Sequence, residues 1–174
     1  MNSIQVGTVR IIDKWMDTDF IDHLADQFLY KYPHYFVESS LNKGPTMYSH
    51  DFTPGNTLID FLTIKLQKQF GPEYGELGMT RVYFNIAHPG MDGDFHVDSK
   101  DPNAGPSIML MVTPKGEGGA FYYKPDPNDN LCIEEVEYEQ NRLLIFNAGM
   151  EHYGKSFTNT PRITLVFKTY VEPK

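Results

Sequence analysis

Four residues in the second half of the chain could act together. His96 and Asp98 lie in FHVDSKD, His152 closes NAGMEH, and Arg162 heads RITLVFKTY. If DFHVD is an extended strand, its side-chain period of two puts His96 and Asp98 on one face, about 6–7 Å apart. One strand then aims an imidazole and a carboxylate at the same ion. Two ligands are too few. Two histidines and one carboxylate on one face of an octahedron make the non-haem iron arrangement, which leaves positions open for chemistry. His152 stands after a strand and a turn, far enough from Asp98 for a β-sandwich to go round and return a strand beside the first. Arg162 opens a strand that reads as buried, so its planar fork needs an anion. Taken alone, Arg162 reads as half of an internal salt bridge to one of the 23 acidic residues. The four together ask for a common explanation.

The remaining histidines read as surface or packing residues. His23 falls in a predicted helix, His34 and His50 in an aromatic loop, and His88 at a turn.

The elements that must position the four follow from pattern. Residues 4 to 12, IQVGTVRII, alternate as a first strand. Asp17 or Thr18 caps a helix through about Tyr30, with Phe20, Ile21, Leu24 and Phe28 on one face. A second helix covers about 57 to 70, with Leu58, Phe61, Leu62, Lys65 and Leu66 in helical spacing, and Gly71-Pro72 stops it. Between them, residues 30 to 55 are turn-rich and aromatic, with Tyr30, Tyr32, Tyr35, Phe36, Tyr48 and Phe52. These rings either wall a substrate channel or fill the gap between helices and strands. From residue 79 onward, short apolar runs alternate with Gly, Pro and Asn clusters. They read as seven or eight strands of a sandwich or barrel. Helices ahead of strands give an α+β, mainly β, chain with the helices packed on one sheet.

Bulk properties set the outer limits. The length of 174 residues predicts a single domain. A net charge of −8 and no basic block argue against a nucleic-acid partner. The single cysteine, Cys132, fits a reducing compartment. The start lacks the apolar core of a signal peptide and no long apolar run exists, so the expectation is a soluble, cytoplasmic protein with no membrane partner.

Several segments together resemble the 2-oxoglutarate- and Fe(II)-dependent oxygenases, in their prolyl 4-hydroxylase-like branch. FNIAHPGMDGDFHVD is similar to the family's strand, Pro-Gly turn and HxD segment. GEGGAFYY is similar to a Gly-Gly lead into a strand, NRLLIFNAGMEH to the strand before the distal histidine, and PRITLVFKTY to the last core strand with its basic residue. TVRIIDKWMDTDFIDHLADQF looks like the first strand and helix. The likeness covers 79 to 171 well, 8 to 29 loosely and 30 to 78 hardly at all.

The resemblance implies a double-stranded β-helix, or jelly roll. It has a helical part at about 1–78 and a jelly-roll core at about 79–174. It implies that His96, Asp98 and His152 hold Fe(II) as the catalytic centre. It also implies that Arg162 binds the distal carboxylate of 2-oxoglutarate, with O2 as the other co-substrate. Relatives place a tyrosine where this chain has Ala87, and SIMLMVT carries Met109 and Met111 rather than a tyrosine. Asn85, Tyr83 or Tyr122 are the candidates for the missing second contact to 2-oxoglutarate. The implied reaction hydroxylates an unactivated C–H bond while 2-oxoglutarate and O2 become succinate and CO2. A prolyl residue of a peptide or protein is the leading substrate, and a free amino acid or other small molecule the alternative. A non-catalytic jelly-roll binding module is the third reading, which the intact triad disfavours.

Overall fold

A computed structural model describes residues 7–36, 47–129 and 131–171. The first residues of the expected opening strand and the middle of the aromatic segment lie outside the described residues. The elements run β1 (Val9–Ile12), α1 (Thr18–Tyr30), β2 (Tyr35–Phe36), β3 (Tyr48–Asp51), α2 (Thr57–Tyr74) and β4 (Leu77–Ala87). Then come β5 (Ala104–Met111), β6 (Phe121–Tyr123), β7 (Glu134–Val136), β8 (Leu143–Asn147), β9 (His152–Gly154) and β10 (Arg162–Val171).

Seven strands form one antiparallel sheet in the order β1-β8-β5-β10-β4-β3-β2, and three form a second in the order β7-β6-β9. The long central strands β10 and β4 pair over almost their whole length, from Arg162 opposite Ala87 to Val171 opposite Leu77. Strict alternation divides their side chains between two cores. Val82, Phe84, Ile86, Ile163, Leu165 and Phe167 meet Ile21, Leu24, Phe28, Leu62, Leu66 and Phe70 of the helices. The residues between them face the small sheet, where Tyr83, Met109, Phe146 and Val166 pack with Phe121, Tyr123 and Tyr138.

Asp17 caps α1, accepting from the backbone N–H of Asp19 and Phe20. The helix buries Ile21, Leu24, Ala25 and Phe28. α2 differs from expectation at its end and on its face. It runs through Gly71-Pro72 to Tyr74. The bond that Pro72 cannot donate would go to the carbonyl of Lys68, on the exposed side, where water can replace it. Phe70 and Tyr74 hold the last turns against the core. The buried stripe is Ile59, Leu62, Leu66, Phe70 and Tyr74, while Phe61 is exposed. Among the described residues no helix is long and apolar enough to cross a membrane.

The aromatic segment is partly strand. β2 and β3 extend the large sheet beside β4. Tyr32 packs edge-on against Phe28, Phe52 and Phe84, and Phe52 packs at a tilt on Phe28 and Phe84, which is the gap-filling role. Tyr30, Tyr35 and Phe36 are exposed.

Candidate metal and co-substrate site

DFHVD is not a strand. The Pro89-Gly90 turn and the close approach of Gly93 to Gly154 leave room for one bridge only, between His96 and His152. These two residues exchange both backbone hydrogen bonds, at 3.0 and 2.9 Å. Two positions further on, the N–H groups of Asp98 and Ser99 both donate to the carbonyl of Ala148, each at 2.9 Å. Asp92 fixes the start of the loop, since its Oδ1 accepts from both the backbone and the hydroxyl of Ser156. A short bridge with anchored flanks therefore does what a strand was expected to do.

Each imidazole is held the same way. Nδ1 of His96 lies 2.9 Å from the carbonyl of Asp94, and Nδ1 of His152 lies 2.8 Å from that of Met150. A carbonyl only accepts, so Nδ1 carries the proton in both rings and Nε2 presents its lone pair. Both Nε2 atoms sit 3.8 Å from Asp98, His96 on Oδ1 and His152 on Oδ2. One ligand atom from each residue falls within 4.8 Å of the other two. Burial pushes the His152 imidazole down to about 4, so it is neutral and ready to ligate at neutral pH.

Asp98 has a side chain only 3% exposed. Burial opposes its charge, yet His152, Lys168 and the Ser107 hydroxyl together hold its carboxyl below the ordinary range. Lys168 Nζ lies 3.1 Å from Oδ1, and Ser107 Oγ donates to Oδ2 at 2.6 Å. The donor set of two imidazoles and one carboxylate suits Fe(II) and similar ions.

Arg162 lies in the same pocket and is 5% exposed. Nε donates to the carbonyl of Gly119 at 3.0 Å, and the guanidinium stands 5.3 Å from the ring centre of Tyr138. Gly118 and Gly119 both adopt positive φ, which turns that carbonyl inward. Nη2 is buried without a hydrogen-bond partner, and no ion pair forms to Arg162 among the described residues. The internal salt bridge that Arg162 would suggest if taken alone is absent among the described residues, and the fork is left with an open donor. A buried guanidinium cannot shed its charge, so the free donor suits a carboxylate ligand.

Comparison with known proteins adds the wider frame. No protein-family model and no curated protein matches the chain. Solved structures do. A prolyl-4-hydroxylase from Pseudomonas putida superposes with a TM-score of 0.67 at 14% identity, over 95% of this chain and 93% of that one. A prolyl hydroxylase from Trichoplax adhaerens, solved with a peptide of the hypoxia inducible factor oxygen degradation domain, gives 0.74 at 13%, over 93% and 83%. HygX from Streptomyces hygroscopicus, with nickel and 2-oxoglutarate bound, gives 0.72 at 11%, over 96% and 84%. The fold is that of the 2-oxoglutarate–Fe(II) oxygenases. The large antiparallel sheet and its smaller partner are the jelly roll of that fold.

Within this oxygenase fold the remaining candidates divide. Tyr83, Asn85, Ala87 and Met109 line the pocket with Arg162. Tyr83 is 8% exposed, and burial followed by the charge of Asp98 drives its phenol far above the ordinary value, so it stays a neutral hydroxyl. Tyr122 is a correction. It points to the other side of β6, stacks on Tyr153 with ring centres 4.9 Å apart, and does not line the pocket. Its neighbours Phe121 and Tyr123 take the inward positions. Three inward residues escaped the sequence reading: Thr164, Ser107 and Lys168. Thr164 and Lys168 follow Arg162 at even spacing, so strand alternation carried their signal.

Proposed function

We propose that this chain is a dioxygenase that uses Fe(II), 2-oxoglutarate and O2 to hydroxylate an unactivated C–H bond, releasing succinate and CO2. The observation that carries this reading is the buried, open fork of Arg162 in one pocket with His96, Asp98 and His152. Those three residues would hold the iron, which supplies the activation of O2. Arg162 would take the distal carboxylate of 2-oxoglutarate, with the hydroxyls of Thr164 and Tyr83 and the amide of Asn85 along the same wall. Phe121, Phe146 and Met109 add apolar walls to the same pocket. Oxygen atoms balance: one enters succinate and the other enters the product alcohol.

The structural neighbours favour a prolyl residue of a peptide as the substrate. A cavity on the outer side of Asp98, lined by Lys168 and Asp101, favours a second reading, a free amino acid or other small molecule. Both share the same chemistry.

The test is succinate formation. Anaerobic protein is loaded with Fe(II) and 2-oxoglutarate and exposed to oxygen, with His96→Ala and a chelator-treated sample as controls. The expected result is slow uncoupled succinate release, reduced by more than about a hundredfold in the variant, beyond the 10- to 100-fold cost of losing an outer-shell partner. No succinate, together with no thermal shift on adding Mn(II) and 2-oxoglutarate, rejects the reading.

A further inference from the structure

Asp98 separates two cavities. The inner one runs to Arg162. The outer one encloses about 170 Å³ between Thr80, the loop from Ser99 to Ala104, Ser107 and the end of β10. Three consecutive residues of β10, Lys168, Thr169 and Tyr170, line this outer cavity. A regular strand would turn alternate side chains away. Here the register slips after Lys168 against both neighbouring strands, a bulge that re-aims the chain at this point. The outer cavity is therefore a built feature of the central strand.

Its walls mix polar groups of Thr80, Ser99, Asp101, Asn103, Ser107 and Thr169 with apolar surface from Ala104, Ala148 and Tyr170. An apolar ring would desolvate these groups without replacing their hydrogen bonds. Among the described residues Lys168 is the only cation lining the cavity. Arg81, its register partner on β4, has its guanidinium taken by both oxygens of Asp51. An ammonium has three donors and Asp98 occupies one. The side chain is still 25% exposed, so it reaches the cavity while touching Asp98. The exposed Asp101, whose Oδ1 accepts from the backbone and amide of Asn103, lines the same cavity. The cavity thus offers a cation and an anion within a space that fits a single small molecule.

Resting on the oxygenase reading, we propose that the outer cavity is the substrate pocket and that it takes a free α-amino acid, its carboxylate on Lys168 and its ammonium on Asp101. The shared wall at Asp98 then places the substrate's carbon chain against one of the three candidate metal ligands. Lys168 and Asp101 set specificity, the first rejecting amides and esters, the second rejecting N-acylated forms and internal peptide residues.

The experiment uses the full chain saturated with Mn(II) and 2-oxoglutarate. Each standard free amino acid is screened by thermal shift, and the tightest binder is compared by calorimetry with its amide and its N-acetyl derivative. Loss of a charge-assisted contact, worth about 1.5–3 kcal/mol, predicts at least tenfold weaker binding for each derivative. Lys168→Gln erases the preference for acid over amide, and Asp101→Asn erases the preference for free amine over N-acetyl. Failure of every free amino acid to bind overturns the proposal. So does equal binding of the amide, retention of either preference in its variant, or binding of a proline-containing peptide where free amino acids do not bind. Failure here with succinate still released overturns this pocket assignment alone. Loss of 2-oxoglutarate binding and succinate in the wild type overturns the oxygenase reading beneath it.

Discussion

The two faces of the large sheet are made from the same strands and do opposite work. Toward the helices, β10 presents Ile163, Leu165 and Phe167, and β4 presents Val82, Phe84 and Ile86, each buried and apolar. Toward the small sheet, the intervening residues are Arg162, Thr164, Val166 and Lys168, facing Tyr83, Asn85 and Ala87. The helix face gains stability by removing carbon from water. The inner face buries a guanidinium with a free donor and a carboxylate hemmed in by two imidazoles, both of which cost stability unless a ligand completes them. One strand can serve both ends because alternate residues answer to different neighbours.

That contrast breaks most visibly at Phe84. It stacks on Phe28 with ring centres 4.5 Å apart and is fully buried. Phe84→Ala should cost about 3–5 kcal/mol and lower the midpoint of thermal unfolding by roughly 6–20 °C. Calorimetry measures this. Mn(II) and 2-oxoglutarate affinity, titrated below the new midpoint, should stay close to wild type. A large loss of affinity would mean that the two faces are not separable.

The inner face should respond to pH where the helix face does not. His152 is buried neutral and its imidazole is pushed down to about 4, against an ordinary value of 6.5. Between those values the unfolded chain binds the proton and the folded chain does not. Stability of metal-free protein should therefore fall as pH drops from about 6.5 toward 4, by a total on the order of 3 kcal/mol. Asp98, held below its ordinary range, loses its contribution only at still lower pH. Urea midpoints across this window give the measurement. His152→Phe should flatten the slope, and an unchanged slope would assign it to another group.

Arg162 sharpens the comparison because its two effects have opposite signs. Arg162→Met removes a charged donor from the co-substrate wall, so 2-oxoglutarate affinity should drop about 10- to 100-fold. The same change removes a buried charge that burial already disfavours. Without 2-oxoglutarate, the variant should melt at the same temperature or higher. Melting at a clearly lower temperature would make Arg162 a structural residue.

How much of this was legible in the sequence follows from the same division. Strands β4, β5, β8 and β10 show themselves as short apolar runs bounded by Gly, Pro and Asn, and the spacing of His96, Asp98, His152 and Arg162 marks them as a group because few folds need those types together. The loop that presents His96 and Asp98 was misread as a strand. Period two holds across a single bridge as well as across a ladder, so the pattern cannot tell them apart. Tyr122 was misplaced because AFYYK offers three aromatics in a row, and only the pairing of Tyr123 with His152 shows which ones face inward. Gly71-Pro72 looked like a stop because local propensity outweighs distant packing in a sequence, whereas Phe70 and Tyr74 reverse that order in the folded chain. β2 and β3 were hidden in an aromatic stretch whose strand character depends on the edge of β4.

Gly154 offers the finest cut between the faces. It ends the metal-site strand β9, and a Cβ there would stand 2.9 Å from Arg162 Nη1 and 3.1 Å from Nη2. Its φ is not positive, so alanine introduces crowding without backbone strain. The guanidinium would have to yield by a few tenths of an ångström, while His152 keeps its bridge to His96. Gly154→Ala should weaken 2-oxoglutarate by about threefold to tenfold, a fraction of one charged hydrogen bond. Mn(II) affinity should not change. Calorimetric titration of each ligand separates the two. Equal losses for both would show that the metal ligands and the arginine move as one body, whereas a loss confined to 2-oxoglutarate shows that the close approach of a bare backbone to Arg162 is what tunes the co-substrate end of the pocket.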